Sequence, residues 1–175
     1  PIKSARLYPT ALGEYELFLN GQRVGNPVFA PGWPDYRERV VYQTYDVTAQ
    51  ITQGKNAIGA LLAPGWYETP LEWLQQPNNY GATPPALRAQ LRIEREDGTV
   101  EWVNTDSSWQ ANPSYIQHSE LYDGETQDAR LKQSGWDTAD FDAQAWKSAE
   151  VIDPKPVKIE AQNFPPIRVE RVMSA

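Results

Sequence analysis

An antiparallel β-sandwich of jelly-roll type is the fold class that this 175-residue sequence predicts, and three observations predict it. Short runs alternate apolar and polar residues, Asn-Gly and Asp-Gly turn pairs separate them, and 15 prolines forbid long helices over most of the chain. The length predicts one domain, residues 1–170, followed by a linker at 171–175 towards a neighbouring domain. A chain of this size buries roughly 70% of its unfolded surface. Its 40% hydrophobic content therefore supplies a core without staples.

The elements follow in order. Residues 15–24, YELFLNGQRV, alternate on either side of Asn20-Gly21, which predicts a hairpin with a two-residue type I′ turn. Residues 39–48, RVVYQTYDVT, are β-branched and aromatic and read as a strand. Residues 56–63, NAIGALLA, are continuously apolar, which predicts a strand covered on both faces. Residues 86–96 alternate and turn at Asp97-Gly98 into 99–105, a second hairpin of the Asp-Gly type. An Asp-Thr start before Ala-rich sequence predicts a short helical turn at 137–146. The Pro-rich tail at 153–169 reads as a stiffened strand and linker leaving the domain.

Composition narrows the function. Sixteen basic against 23 acidic residues give a net charge of −7, which repels a phosphate backbone and an anionic membrane surface alike, so neither nucleic acid nor membrane is expected as a partner. The longest apolar run, 57–63, is too short to span a bilayer as a helix. Without cysteine there is no disulfide, thiolate zinc site or cysteine nucleophile, and His118 is the single histidine, read as an ordinary surface residue. Carboxylate and carbonyl oxygens remain as metal ligands, and they suit calcium. The sequence opens at Pro1 without a signal peptide and reads as part of a longer protein.

Seven Trp and nine Tyr against four Phe are the compositional anomaly, since core chemistry alone favours Phe. Trp102, Trp109, Trp136 and Trp146 lie in strands or framework motifs and are read as core or strand-end anchors. Trp33, Trp66 and Trp73 lie in loops. The stretch 66–85 is a long loop between two strands and holds Trp66, Tyr67, Glu68, Glu72, Trp73, Asn78, Asn79 and Tyr80. Flat rings to stack on a pyranose, with amides and carboxylates for its hydroxyls, are the inventory of a sugar site. The plainer alternative is that these rings close the end of the sandwich and that the Asn residues form turns. A second candidate, 30–40, carries Trp33, Asp35 and Tyr36, with Asp35 alternatively a turn cap. Asp123, Glu125 and Asp128 around Gly124 lack calcium-loop spacing, and a salt bridge to Arg130 is the preferred reading. A complete glycosidase would need paired carboxylates across a cleft, and 23 acids give that test no discrimination.

Eight strings in register carry a resemblance: ARLYPTALGEYELFLNGQRVG, FAPGWPDYRERVVYQTYDVT, GKNAIGALLAPGWY, PPALRAQLRIEREDGT, TDSSWQ, LYDGETQDAR, GWDTADFDAQAW and PPIRV. Together they resemble the non-catalytic β-sandwich on the N-terminal side of bacterial α-L-rhamnosidases of glycoside hydrolase family 78, of the carbohydrate-binding module family 67 type. The resemblance implies a galactose-binding-like sandwich that is not itself an enzyme. Hydrolysis in the family belongs to a separate helical domain, expected here as a partner. It further implies binding of terminal L-rhamnose on glycans with calcium bridging protein and sugar, or, as in other members, a scaffold beside the catalytic domain. On the matching motifs the sugar contacts fall on Trp33, Trp66, Tyr67, Trp73, Asn78 and Tyr80. The calcium ligands fall on the Asn79 amide oxygen, the Pro84 carbonyl and Asp35. Ala82, and APGWY in place of GDGWY, remove acidic oxygen from that neighbourhood.

Overall fold

The computed structural model of the protein describes residues 1–70, 80, 84–153 and 157–174. Its strands are β1 (Ile2–Leu12), β2 (Glu14–Leu19), β3 (Gln22–Arg23), β4 (Arg39–Tyr42), β5 (Tyr45–Asp46) and β6 (Ile58–Ala63). A single helical turn, α1 (Gly65–Glu68), precedes β7 (Ala86–Arg95), β8 (Val100–Asn104), β9 (Gln110–Ala111), β10 (Ile116–Glu120), β11 (Gly124–Gln127), β12 (Lys147–Ser148) and β13 (Lys158–Ala161). One sheet runs β5-β1-β7-β8 and the other β3-β2-β6, with β13-β4, β12-β9 and β10-β11 as two-stranded additions. All pairings are antiparallel except β13 with β4.

Period-two alternation decides which residues meet between the sheets. Ala5, Leu7 and Ala11 of β1 and Ala89, Leu91 and Ile93 of β7 face Leu17 and Leu19 of β2, with Val24, Ala30 and Val47 closing the edges. Leu7, Leu17 and Leu19 are wholly buried, and each contributes about 1.5–3 kcal/mol by leaving water. Strand β1 carries Pro9 in its middle, where proline normally argues against a strand. In an extended strand a residue's N–H and C=O point the same way. The Pro9 carbonyl accepts from Gln43 N–H, so its missing N–H lies on that irregular side and the ladder to β7 is spared.

The Asn20-Gly21 turn has φ of 53° and 78°, the pair of positive values that a type I′ turn requires, and Phe18 pairs with Arg23 across it. The second hairpin differs from its prediction. Glu94 pairs with Val100, Gly98 N–H donates to Arg95 C=O and Arg95 N–H to Thr99 C=O. That makes a three-residue loop closed by Gly98 at φ 83°, because Asp97 does not adopt positive φ.

Several further expectations are corrected. The run 39–48 is two strands, broken where the buried Gln43 side chain turns inward. Its amide donates to Pro31 C=O and Gln162 Oε1, and its Oε1 accepts from the Tyr15 hydroxyl. Strand β6, paired with β2, has the expected cover on both faces at its start, where Ile58 and Ala60 pack on the core and Trp136 lies on Gly59, but loses it further along, where Leu62 is exposed. Residues 137–146 form successive turns, not a helix, with Trp146 edge-on to Phe141 and its Nε1 donating to Gln133. The tail returns across the sandwich: β13 lies beside β4, Val28 N–H donates to Ile167 C=O, and Pro27 bridges Arg168. Trp102, read as a core or strand-end anchor, lies on the outer face of the first sheet and is 51% exposed. Among the described residues no helix is long and apolar enough to cross a membrane.

Candidate functional site

At one end of the sandwich the chain passes from β1 to β2 through Gly13, and from β6 into α1 through Pro64-Gly65. Thr69 closes that single turn, its hydroxyl donating to Gly65 C=O at 2.7 Å. The loop 27–38 folds over both. Inside it Tyr36 is buried, donating its phenol to Gly32 C=O at 2.8 Å, while Asp35 C=O accepts from Glu38 and Arg39 N–H.

This end gathers six aromatic rings. Trp33 and Trp66 lie parallel, 2° apart in plane and 5.7 Å between centroids, and Phe29 tilts against Trp66 at 5.6 Å. Trp33 Nε1 donates to the Tyr80 hydroxyl at 2.7 Å. Tyr80 in turn stacks on Tyr67 at 6.3 Å, and Tyr36 meets both edge-on at 5.1 Å. The two indoles are slipped and leave no room for a sugar ring between them. Trp33, half exposed at 50%, presents the open ring, and Trp66 is the half-buried support beneath.

Four of the six nominated sugar contacts, Trp33, Trp66, Tyr67 and Tyr80, are thus brought together, while Trp73 and Asn78 lie outside the described residues. Tyr67 is 3% exposed and stacks behind Tyr80. Of the nominated calcium ligands, Asn79 is outside the described residues, Pro84 is exposed, and Asp35 has both carboxylate oxygens on Arg37, through Nε and Nη2 at 2.8 Å each. Those hydrogen bonds hold the Asp35 carboxyl below the usual carboxylate range. Arg37 also sits over the Tyr80 ring at 5.7 Å, so Asp35 adjoins the platform. The donor set is all oxygen and suits calcium, provided Arg37 swings off an exposed pair that solvent already weakens. Among the described residues no three acidic or histidine groups cluster for a metal.

Sequence reasoning missed Glu14. It lies beside Gly65, whose α-carbon is so close that an added Cβ would stand 2.8 Å from Glu14 Oε1. That oxygen is buried without a hydrogen-bond partner among the described residues. Burial pushes the carboxyl up to about 7. The Tyr36 phenol is pushed up as well, first by its own burial and then by Glu14. The only available signal was an acid directly after a glycine between two strands. Glu120, at the end of β10, is the second buried acid. Burial raises its pKa, but N–H donation from Asp123 and Tyr122, with Thr69 beside it, brings the net shift below normal. His118 is exposed, and Arg130 pairs with Asp128, both as expected.

Comparison with known proteins gives a consistent result. Residues 1–171 match the family described as the α-L-rhamnosidase N-terminal domain. An α-L-rhamnosidase of Streptomyces avermitilis is 45% identical over 175 residues, covering 99% of this chain and 17% of its own length. A crystal structure of the S. avermitilis α-L-rhamnosidase complexed with L-rhamnose superposes with a TM-score of 0.90 at 45% identity, over 97% of this chain and 16% of that one. The native α-L-rhamnosidase of Aspergillus terreus gives 0.89 at 42%, over 95% and 19%. The chain therefore spans about one-sixth to one-fifth of these relatives.

Proposed function

The chain belongs to the α-L-rhamnosidase N-terminal domain family, and from that membership we propose that it is a non-catalytic module that binds terminal L-rhamnose within an α-L-rhamnosidase acting on rhamnose-containing glycans. The observation that carries this reading is the slipped Trp33–Trp66 pair with one ring half open to solvent. L-Rhamnose has an apolar C–H face and a methyl group to lay on Trp33, while its hydroxyls reach the Tyr80 hydroxyl and the oxygen donors around Pro84. Asp35, Pro84 and Asn79 would hold calcium, which supplies a cation able to accept two vicinal hydroxyls. Arg37 opposes it by neutralising Asp35.

Isothermal titration with L-rhamnose, in calcium and in chelator, tests this. Trp33→Ala is expected to lower affinity about tenfold, the scale of one lost aromatic contact plus its buried area; unchanged affinity would remove the platform from the proposal. Chelator and Asp35→Asn are expected to weaken binding together, and Arg37→Gln to tighten calcium binding. Equal rhamnose affinity with and without calcium rejects the cation and leaves the platform.

A second reading, a scaffold for the catalytic domain, is favoured by the apolar side chains exposed along one segment: Phe164, Ile167, Val169, Val172 and Met173. It predicts no heat of binding with L-rhamnose under either condition.

A further inference from the structure

The outer face of the β5-β1-β7-β8 sheet carries a trough of about 400 Å³, within the size range of small-ligand sites. Three aromatic rings form its wall. Tyr8 of β1 tilts at 32° against Trp102 of β8, 6.3 Å away, and meets Tyr42 of β4 edge-on at 6.2 Å. Arg88, Gln90, Thr10 and Ile159 complete the lining. In register, Thr10 stands opposite Arg88, and Gln90 opposite both Tyr8 and Asn104, so the strand pleat places these groups on one face.

Two features distinguish this face from an ordinary solvated sheet. Half of the large, flat Trp102 side chain is left in water where it could have packed inward. Arg88 is exposed and makes no ion pair among the described residues, although acids outnumber bases 23 to 16 in the chain. Its neighbour on the strand, Arg92, is paired with Glu94. None of the residues lining the trough is acidic. A net-negative protein thus presents a locally cationic, aromatic-walled recess, and over about 8 Å physiological salt screens it from the acids elsewhere.

We propose that this trough is a second saccharide site, separate from the Trp33–Trp66 platform, and that it takes an acidic sugar: a uronate whose pyranose ring lies on Trp102 and whose carboxylate is held by the Arg88 guanidinium. The planar fork of arginine matches a carboxylate bidentately. Gln90 donates one amide N–H to Asn104 Oδ1 at 3.0 Å, which leaves its carbonyl and second N–H, with the Asn104 amide nitrogen, for hydroxyls. A neutral sugar would use the rings and amides and leave the guanidinium unmatched.

Cellobiouronate and cellobiose, which differ by one carboxylate, are the probes, with affinity read by titration calorimetry on the whole chain. Cellobiouronate is expected to bind at least tenfold more tightly, with the advantage shrinking as salt rises. Arg88→Gln should bring the two affinities together, and Trp102→Ala should abolish both. Both side chains are exposed, so melting temperatures are expected to stay within a few degrees of the parent. Trp33→Ala and chelator should leave cellobiouronate binding unchanged, which separates this site from the rhamnose platform. Equal affinity for the two probes, no binding of either, or binding that survives Trp102→Ala overturns the proposal.

Discussion

Gly13→Ala is expected to destabilise the protein by about 3–5 kcal/mol, combining strain at a disallowed backbone angle with overpacking. Gly13 makes the bend that carries the chain from one sheet to the other. Its φ is 119°, and a Cβ there would stand 2.4 Å from the backbone oxygen of Ala63. That oxygen cannot yield cheaply, because Ala63 is paired with Glu14 in the β2–β6 ladder. Gly13 C=O also lies 3.5 Å from the Tyr36 hydroxyl, so a shift of this bend loosens the ring cluster behind the candidate sugar platform. In thermal denaturation the melting temperature should fall by about 10 °C, taking roughly 2–4 °C per kcal/mol for a chain of this size. A fall of only a degree or two would show that the bend adjusts freely.

Glu14→Gln is expected to stabilise the protein at neutral pH and above, by about 2–3 kcal/mol. The folded carboxyl sits at about 7 against an ordinary value of 4.5, and desolvation is the cause. A raised carboxyl pKa means that between pH 4.5 and 7 the folded state keeps a proton that the unfolded state has released. Stability therefore falls as pH rises through that window, and the penalty is complete above it. The full shift would be worth about 3 kcal/mol, and partial contact of the side chain with water trims it. Urea denaturation at pH 4 should find parent and variant similar, and at pH 8 the variant ahead. Parallel stability curves across that range would falsify the assignment of Glu14 as a buried, uncompensated acid.

Both residues sit at the same bend, and the sequence marked neither. Extended back by one residue, the alternation of residues 15–24 would put Glu14 on the polar face with Glu16. Glu16 fits that reading, paired with Arg23 at 2.9 Å near solvent. Glu14 does not, because Gly65 at the start of α1 closes over it from a distant part of the chain. The same division runs through the aromatics. Trp33, Trp66 and Tyr80 were legible as a group because loops rich in Pro and Gly hold rings that no strand pattern accounts for. Tyr67, next to Trp66 and chemically equivalent on paper, is inside, whereas Trp102, in the middle of a strand, is outside.

Sequence alone determined what neighbours along the chain decide: the all-β class, the type I′ turn at Asn20-Gly21, the alternation that builds β2 and β7, and the family. These depend on φ preferences and on a period of two, both set within a few residues. Tertiary structure alone decided the rest: that Pro9 could occupy a paired strand, that the tail folds back along β4, and which face of each ring meets water. Burial and pairing are set by segments tens of residues apart, and no local pattern encodes which of them will arrive.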